Sequence, residues 1–372
     1  MKGLNVMKKI ISLLLVFVLA CGMLASCNGP EQPPVTDPDG ILTLDPNLPV
    51  EEGFGLDGKT PTDIKLFKYK ELEDGTISIT GAYIEEMNKL TELVVPAVID
   101  GKKVSTIGES AFANLSNIET LVIGDYVTDI QAMAFRDCAK LASIKLPKYV
   151  KTIGMGVFSG CNGLSVIDFL PMSVEELGER VFENCTGLTK VIIPDSVSKV
   201  GGYTFVGCGN IIEVQFSKRM TEIPERMFLG CTTLKNSIGS ERGFVIPEGI
   251  TTIGQYAFFE CQGLVSISIP NTVTKIGKNA FDTCRVLGEI TIPESVTSIG
   301  ANAFNKCTKL KSVTLQGGAN VTYGKDLFVD SKRIETFNVK AGSSAETYCN
   351  AWKQQIKDSK LKGYTDFAIN VQ

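Results

Sequence analysis

Eleven cysteines and a complete absence of histidine set the chemistry open to this 372-residue chain. Eight of the cysteines keep step with one another: Cys138, Cys161, Cys185, Cys208, Cys231, Cys261, Cys284 and Cys307. A thiolate can act as a nucleophile, a metal ligand or half of a disulfide. Without His, Ser-His-Asp and Cys-His catalysis are excluded, as is every metal site that uses an imidazole. No C-x-x-C occurs, which removes zinc-ribbon and thioredoxin chemistry. Neither a nucleophile nor a metal ligand needs eight copies. Neighbouring cysteines one repeat apart would have parallel Cβ vectors, which a relaxed bridge does not favour, so buried free thiols are expected. Cys349 stands outside the series and is open to exposure. The string GMGVFSG at 154–160 follows the repeat spacing and does not match a dinucleotide fingerprint, and no Gly-rich phosphate loop follows a long strand. The sequence therefore offers no catalytic residue, no metal ligand set and no cofactor site, and the chain is read as a non-enzyme.

The elements that hold the cysteines are periodic. Each stands three positions after a Phe, in a series running Phe112, Phe135, Phe158, Phe182, Phe205, Phe228, Phe258, Phe281, Phe304 and Phe328. The steps match that from Phe112 to Phe135, or exceed it by one, except for the longer step from Phe228 to Phe258. The first copy has Leu115 in place of Cys, and the last has Ser331. A fixed period of roughly 20–29 residues signals a solenoid. Within one unit, Ile267 and Ile269 alternate with Ser266 and Ser268, the mark of a short half-buried strand. Pro270 ends it by lacking an N–H. Val273 and Ile276 point inward from a second short extended piece. Gly277 is expected to supply a backbone angle that other residues resist. Ala280, Phe281 and Cys284 suit one inward-facing turn of α or 3-10 helix. No unit can bury its own apolar face, so stacked units must share a core in which Phe and Cys form ladders. Cys serves there as a small buried hydrophobe.

Composition agrees with a folded, exported chain. It is 44% hydrophobic and 21% charged, with a net charge of −4. The segment 1–26 holds Lys2, Lys8 and Lys9 and no acid, so a form lacking it carries −7. This excludes the basic footprint of a nucleic-acid binder. Lys8 and Lys9 precede an apolar run at 10–20, too short for a comfortable membrane span, and 1–26 reads as an export signal. Translation starts at either Met1 or Met7. The string LASC ending at Cys27 resembles a bacterial lipobox. By that resemblance Cys27 carries the lipid and becomes the mature N-terminus, giving a membrane anchor. A site ending at Cys21 fits less well. Residues 27–60, rich in Pro, Gly and acids, are expected to form a flexible tether.

The string G-x-x-A-F-x-x-C-x-x-L-x-x-I-x-I-P, repeated from about 104 to 340, resembles the BspA-like, or Treponema-type, leucine-rich repeats. The resemblance implies a β-rich leucine-rich repeat solenoid of about ten 23-residue repeats, with short strands and short α/3-10 turns. It also implies a bacterial cell-surface protein of a kind in which some members bind host matrix proteins or other cells. With the lipobox, the expectation is a lipid-anchored envelope protein whose repeats mediate protein binding or adhesion. The family offers no catalytic residues to carry over. Residues 61–103 are expected to form an N-terminal β cap, 104–340 the solenoid and 341–372 a C-terminal helical cap. In the last, Tyr348, Trp352 and Ile356 share a stripe, and Ser344 is a candidate N-cap.

A curved solenoid tends to use its sheet face and adjoining loops for ligands. The outward strand positions run Val122, Lys145, Asp168, Ile192, Gln215, Val245 and onward to Ser268, Thr314 and Asn338. A neighbouring row includes Val166, Lys190 and Glu213. Lys145, Val166, Asp168, Lys190, Ile192, Glu213, Gln215 and Val245 thus make up a candidate protein-binding face, or are simply strand formers on a solvated sheet. The insertion at 235–243, with Lys235, Asn236, Glu241 and Arg242, is a candidate binding loop or a neutral one. The expected partner is an extracellular protein or cell-surface ligand. A glycan is the alternative, weakened because the strand rows hold no aromatics. A monomer is expected.

Overall fold

The computed structural model describes residues 43–45, 47–241, 243–358, 363–364 and 366–372. The export signal, Cys21, Cys27, the start of the tether and Arg242 lie outside the described residues.

The chain winds into a β-solenoid of about eleven turns of roughly 23 residues. Each turn has three faces. The first carries the xIxIP strands, among them Glu92–Val95, Thr120–Ile123, Lys190–Ile192, Glu289–Ile292 and Thr336–Val339. They pair in parallel within successive short sheets, Glu92 beside Thr120 and Thr120 beside Ser143 in the first of them. The second face is a stack of two-residue strands such as Thr152–Ile153, Glu176–Leu177 and Lys275–Ile276, also parallel. The turn beyond the ten Phe units starts at Thr336–Val339, and there the helix Ser344–Asp358 replaces the Phe turn.

The third face holds Phe and Cys. It is built of consecutive i→i+3 turns, not of a helix, and it has its own ladder: Phe158 N donates to Val181 O at 2.9 Å and Phe258 N to Ala280 O at 2.8 Å. Two positions per turn take positive φ, such as Asn279 (54°) and Thr283 (64°), which prevents a helix from propagating. The glycine expectation changes accordingly. Gly277 does not have positive φ. A Cβ there would meet Gln255 N at 2.5 Å, so the glycine permits close approach of the backbone one turn earlier.

The core is one column. The ten Phe rings are each no more than 1% exposed. Successive rings stack with centroids from 5.2 Å (Phe258–Phe281) to 5.8 Å (Phe135–Phe158). The column crosses the insertion intact, with Phe228 and Phe258 at 5.5 Å. The cysteines do more than fill space. Cys161 Sγ donates to Phe135 O at 3.2 Å, Cys208 Sγ to Phe182 O at 3.0 Å and Cys307 Sγ to Phe281 O at 3.3 Å. Each thiol thus reaches the Phe carbonyl of the turn before it, and where that carbonyl already accepts from the Cys N–H of its own turn, as Phe182 O does from Cys185 N at 3.2 Å, the thiol is its second donor. Ser331 makes the same bond to Phe304 O at 2.7 Å. All eight thiols are free and buried.

Both ends are sealed. At the start, Phe67–Glu71 and Ile77–Ala82 form an antiparallel hairpin, and the second strand pairs in parallel with Lys102–Ile107. At the far end Trp352 is 6% exposed against Phe328, Phe337 and Phe367. Cys349 is fully buried there, contrary to the exposure left open for it. The helix cap is Ser343, whose Oγ accepts from Glu346 N at 3.1 Å. Ser344 instead ties the helix to the preceding loop, through Gly318 O and Val321 N. The strand Ala368–Val371 then returns to pair with Thr336–Val339, covering the open edge.

Candidate functional site on the sheet face

The sheet face is continuous in parallel register through Val166–Ile167, Lys190–Ile192 and Glu213–Gln215. Its next strand comes from the insertion. Asn236–Ser237 pairs with Glu213 and Val214, while the repeat proper resumes at Phe244–Val245, which pairs onward with Ile267–Ser268. The extra residues therefore do not loop free of the solenoid. They split the sheet, and Ser237 bridges the split: its Oγ donates to Val245 O at 2.8 Å and accepts from Val245 N at 2.9 Å. Gly239 and Gly243, with φ of 77° and 85°, allow the reversal between the two strands.

The split opens a groove of about 550 Å³. Val214, Gln215 and Phe216 form one wall, Val245 and Pro247 the other, and Ser237 to Glu241 the rim. Most of this lining is apolar, with Gln215 and Glu241 exposed at the mouth. Such a shape holds an apolar side chain or short segment and fixes its orientation by a few polar groups. Gln215, Val245 and Glu241, singled out separately as face and loop residues, come together here. Val166, Asp168, Lys190, Ile192 and Glu213 lie along the sheet leading to it, all at least partly exposed. Lys235 and Asn236 sit beside the groove without lining it, and Arg242 lies outside the described residues.

The beginning of the same face is occupied by the chain itself. Residues 47–60, read from sequence as flexible tether, form a strap over the first three strands. Leu56 is 1% exposed in a cluster with Val94 and Val122. Phe54 stacks on Tyr126 at 4.5 Å and on Tyr149 at 6.3 Å. Glu51 N donates to Tyr126 Oη at 2.9 Å, and that hydroxyl donates to Pro49 O. Thr62 N donates to Val94 O, and Val94 N to Thr62 Oγ1, both at 3.0 Å. Lys145 pairs with Asp57 at 2.7 Å and donates to Gly55 O. Lys145 is therefore engaged within the chain, and Val122 is buried. The tether reading fails for 47–60 because Phe54 and Leu56 have an apolar shelf to cover. That signal was present in the sequence as GFGLD (53–57), an alternating apolar pair inside a Pro/Gly/acidic stretch.

Charge under the strap is arranged to hold it. Asp125 accepts from Lys148 N at 2.6 Å, and its own N–H donates to Phe54 O at 3.1 Å. Burial pushes the Asp125 carboxyl above its ordinary range, against the opposing pull of the Lys148 N–H and the Lys145 and Lys148 charges. Burial also raises the Tyr126 phenol.

Two further stretches of surface are distinctive. On the turn face, Arg180, Tyr203, Arg226 and Tyr256 alternate in a stack with cation-to-ring distances of 4.1, 5.0 and 4.7 Å. Both ring faces of Tyr203 are thus taken by guanidinium groups, and Glu183 and Glu225 balance the charge. Near the C-terminal end, a polar groove of about 420 Å³ includes Asn271, Glu294, Gln316, Asn338 and Lys340.

Residues 79–171, 169–243 and 235–357 match the family model described as BspA type leucine rich repeat region. A leucine-rich repeat protein from Bacteroides ovatus ATCC 8483 is similar in structure, with 26% identity and a TM-score of 0.65 over 80% of this chain and 71% of the other. A leucine rich cell surface protein from Faecalibacterium prausnitzii A2-165 is 25% identical, with a TM-score of 0.47 over 78% of this chain and 91% of that one. No curated protein matches the chain.

Proposed function

The chain belongs to the BspA-type leucine-rich repeat family, and from that premise we propose that it is a lipid-anchored bacterial surface protein that binds another protein through its sheet face. The groove between Gln215 and Val245 is the centre of that interface, with Val166, Lys190 and Ile192 as its approach. The strap is the observation that carries this reading. The same face already takes an extended segment, holding Phe54 and Leu56 against the sheet and anchoring the backbone with Lys145 and Thr62. The mode needs side-chain shelves and a few polar anchors, and the groove supplies both further along. Cys27 is the lipidation site, with 1–26 removed. The protein acts as a monomer on the envelope, and adhesion to host matrix or a neighbouring cell is its role. No catalytic step is assigned to it.

The test is direct binding of the soluble chain without its anchor cysteine, residues 28–372, to panels of extracellular matrix proteins and of glycans in one format. Saturable binding to a protein, weakened tenfold or more by Val245→Lys, is expected. Binding confined to glycans and unaffected by that change sinks the proposal. The polar groove near Asn271, Glu294 and Asn338 supports a second reading, a glycan-binding lipoprotein, and would be the place to look in that case. Mass spectrometry of the membrane-associated protein tests the anchor: an acylated Cys27 at the N-terminus is expected, and an unmodified one removes it.

A further inference from the structure

The turn face holds a buried carboxylate that meets carboxamides and a hydroxyl where the carboxylate at the same position of an earlier turn, Glu183, meets a guanidinium. Asp282 is 4% exposed. It accepts from Asn279 Nδ2 at 2.7 Å, from Thr283 Oγ1 at 2.9 Å and from Asn305 Nδ2 at 3.1 Å. Asn279 is 7% and Thr283 4% exposed. While both carboxamides turn their nitrogens to the carboxylate, Asn279 Oδ1 and Asn305 Oδ1 are buried with no hydrogen-bond partner among the described residues. A buried acceptor without a donor is rare, and here two belong to the carboxamides that border one buried carboxylate.

The solenoid supplies its own control. Asn279 and Asp282 flank Phe281 at the same two positions that Arg180 and Glu183 occupy about Phe182. There the carboxylate meets the Arg180 guanidinium at 2.7 Å. In the Phe281 turn the carboxylate remains and the guanidinium is replaced by a carboxamide. We propose that Asp282, Asn279, Asn305 and Thr283 form a site for a hard cation, calcium or sodium, which takes the place that the Arg180 guanidinium holds beside Glu183. A half-turn of each carboxamide about its last bond exchanges oxygen for nitrogen in the same volume and aims both orphaned oxygens at the ion. The ligand set is then carboxylate, two amide oxygens and a hydroxyl, which suits hard cations and not thiophilic metals. Among the described residues no group of three or more His, Cys, Asp or Glu could hold a metal, and this set, with its single carboxylate, points to a weak site of the extracellular type.

The experiment compares thermal unfolding of the purified protein, freed of ions by chelation, in choline chloride, sodium chloride and calcium chloride at equal ionic strength. With a dissociation constant on the order of 1 mM, calcium at ten times that level multiplies the folding constant by about 11. A rise in melting temperature of roughly 3 °C over choline chloride is expected for calcium, sodium or both, and the arms identify which. Asp282→Asn must abolish the rise. Asn279→Arg, which rebuilds the Arg180–Glu183 pair, must also abolish it while melting no lower than the parent in choline chloride. The site is overturned if neither ion raises the melting temperature of the parent protein, or if Asn279→Arg responds as the parent does. The second variant decides the matter even if Asp282→Asn does not fold.

Discussion

The first three strands of the sheet face and the stretch from Val166 to Val245 are built on the same repeat, yet one is closed and the other open. Under the strap, Val122 has become interior and Lys145 is spent on Asp57 and Gly55. Further on, Ile192 and Gln215 keep the same outward register and stay partly or fully exposed, and the insertion has parted the sheet beside them. The column beneath does not register the difference. Phe112–Phe135 stack at 5.3 Å below the strap and Phe228–Phe258 at 5.5 Å below the split. The repeat thus fixes a core that tolerates change above it, and binding character is set by what is laid over the sheet or inserted into it.

The largest expected effects test whether the column is indifferent to its cover. Phe135→Ala and Phe258→Ala each leave a cavity in close-packed rings, and each should cost about 3–5 kcal/mol of stability. Equal losses by denaturant unfolding would sustain the comparison. A loss at Phe258 far below that at Phe135 would mean that the split has loosened the core, against the intact stacking there.

Alkaline pH offers a second test, shared by both regions. Burial raises the Cys208 and Cys349 thiols to about 12, from an ordinary 9.0, and raises those of Cys185, Cys231, Cys261 and Cys284 well above it. Neighbouring thiols also oppose one another's ionisation along the ladder. The folded state therefore holds protons that the unfolded chain releases above pH 9. The stability this confers is whole below about pH 9 and is lost as pH climbs toward 12. Thermal melts from pH 8 to 11 should show a steep, cooperative fall, with thiol labelling coincident with unfolding. Flat melting temperatures across that range would contradict the burial of the ladder. Cys208→Ser should be tolerated better than Cys208→Ala, because a hydroxyl can keep the bond to Phe182 O as Ser331 does to Phe304 O.

Much of this was legible in the sequence because the repeat is long and strict. Phe recurring once per repeat could only be a column, and xIxIP could only be a strand stopped by Pro. What escaped has physical causes. A Cys among apolar neighbours reads as a hydrophobe, and its role as a donor to the previous turn becomes visible only when Phe135 O faces Cys161. Gly277 reads as a turn glycine, but its constraint comes from Gln255, a full turn back along the chain. The strap reads as linker because two apolar residues, Phe54 and Leu56, carry no period of their own. The groove was half legible: Gln215, Val245 and Glu241 were each marked, but their meeting depends on Asn236–Ser237 joining the sheet, which no local pattern in KNSIGSERG announces.

The strap's own hold is intermediate in size. Burying Leu56 is worth about 1.5–3 kcal/mol, confined to residues 47–60, whereas the exposed Lys145–Asp57 pair adds at most about 1 kcal/mol. Leu56→Ala should therefore raise protease sensitivity and amide exchange in the strap while leaving the main unfolding transition within roughly 1 °C, since Val94 and Val122 lie outside the Phe column. A shift of the whole transition would make the strap part of the core, and the first strands could not then be treated as a ligand-bearing face.

The smallest effect on stability should accompany the largest on binding. Val245→Lys places a charge on the groove wall at a half-buried, outward position, and Ile192→Asp does so on the approach. Neither touches the ring column, so each should change stability by about 0.5 kcal/mol or less. If the open stretch is the binding face, both must weaken capture of a protein partner tenfold or more, and the matching change under the strap, Lys145→Ala, must not. If Lys145→Ala alone alters capture, the order is reversed: the strap lifts to admit the partner, and the covered strands are the site. A partner indifferent to all three would place recognition away from the split, on the Arg180–Tyr256 stack or the polar groove at Asn338 near the far end of the sheet, and the split would be a tolerated insertion in a structural rod.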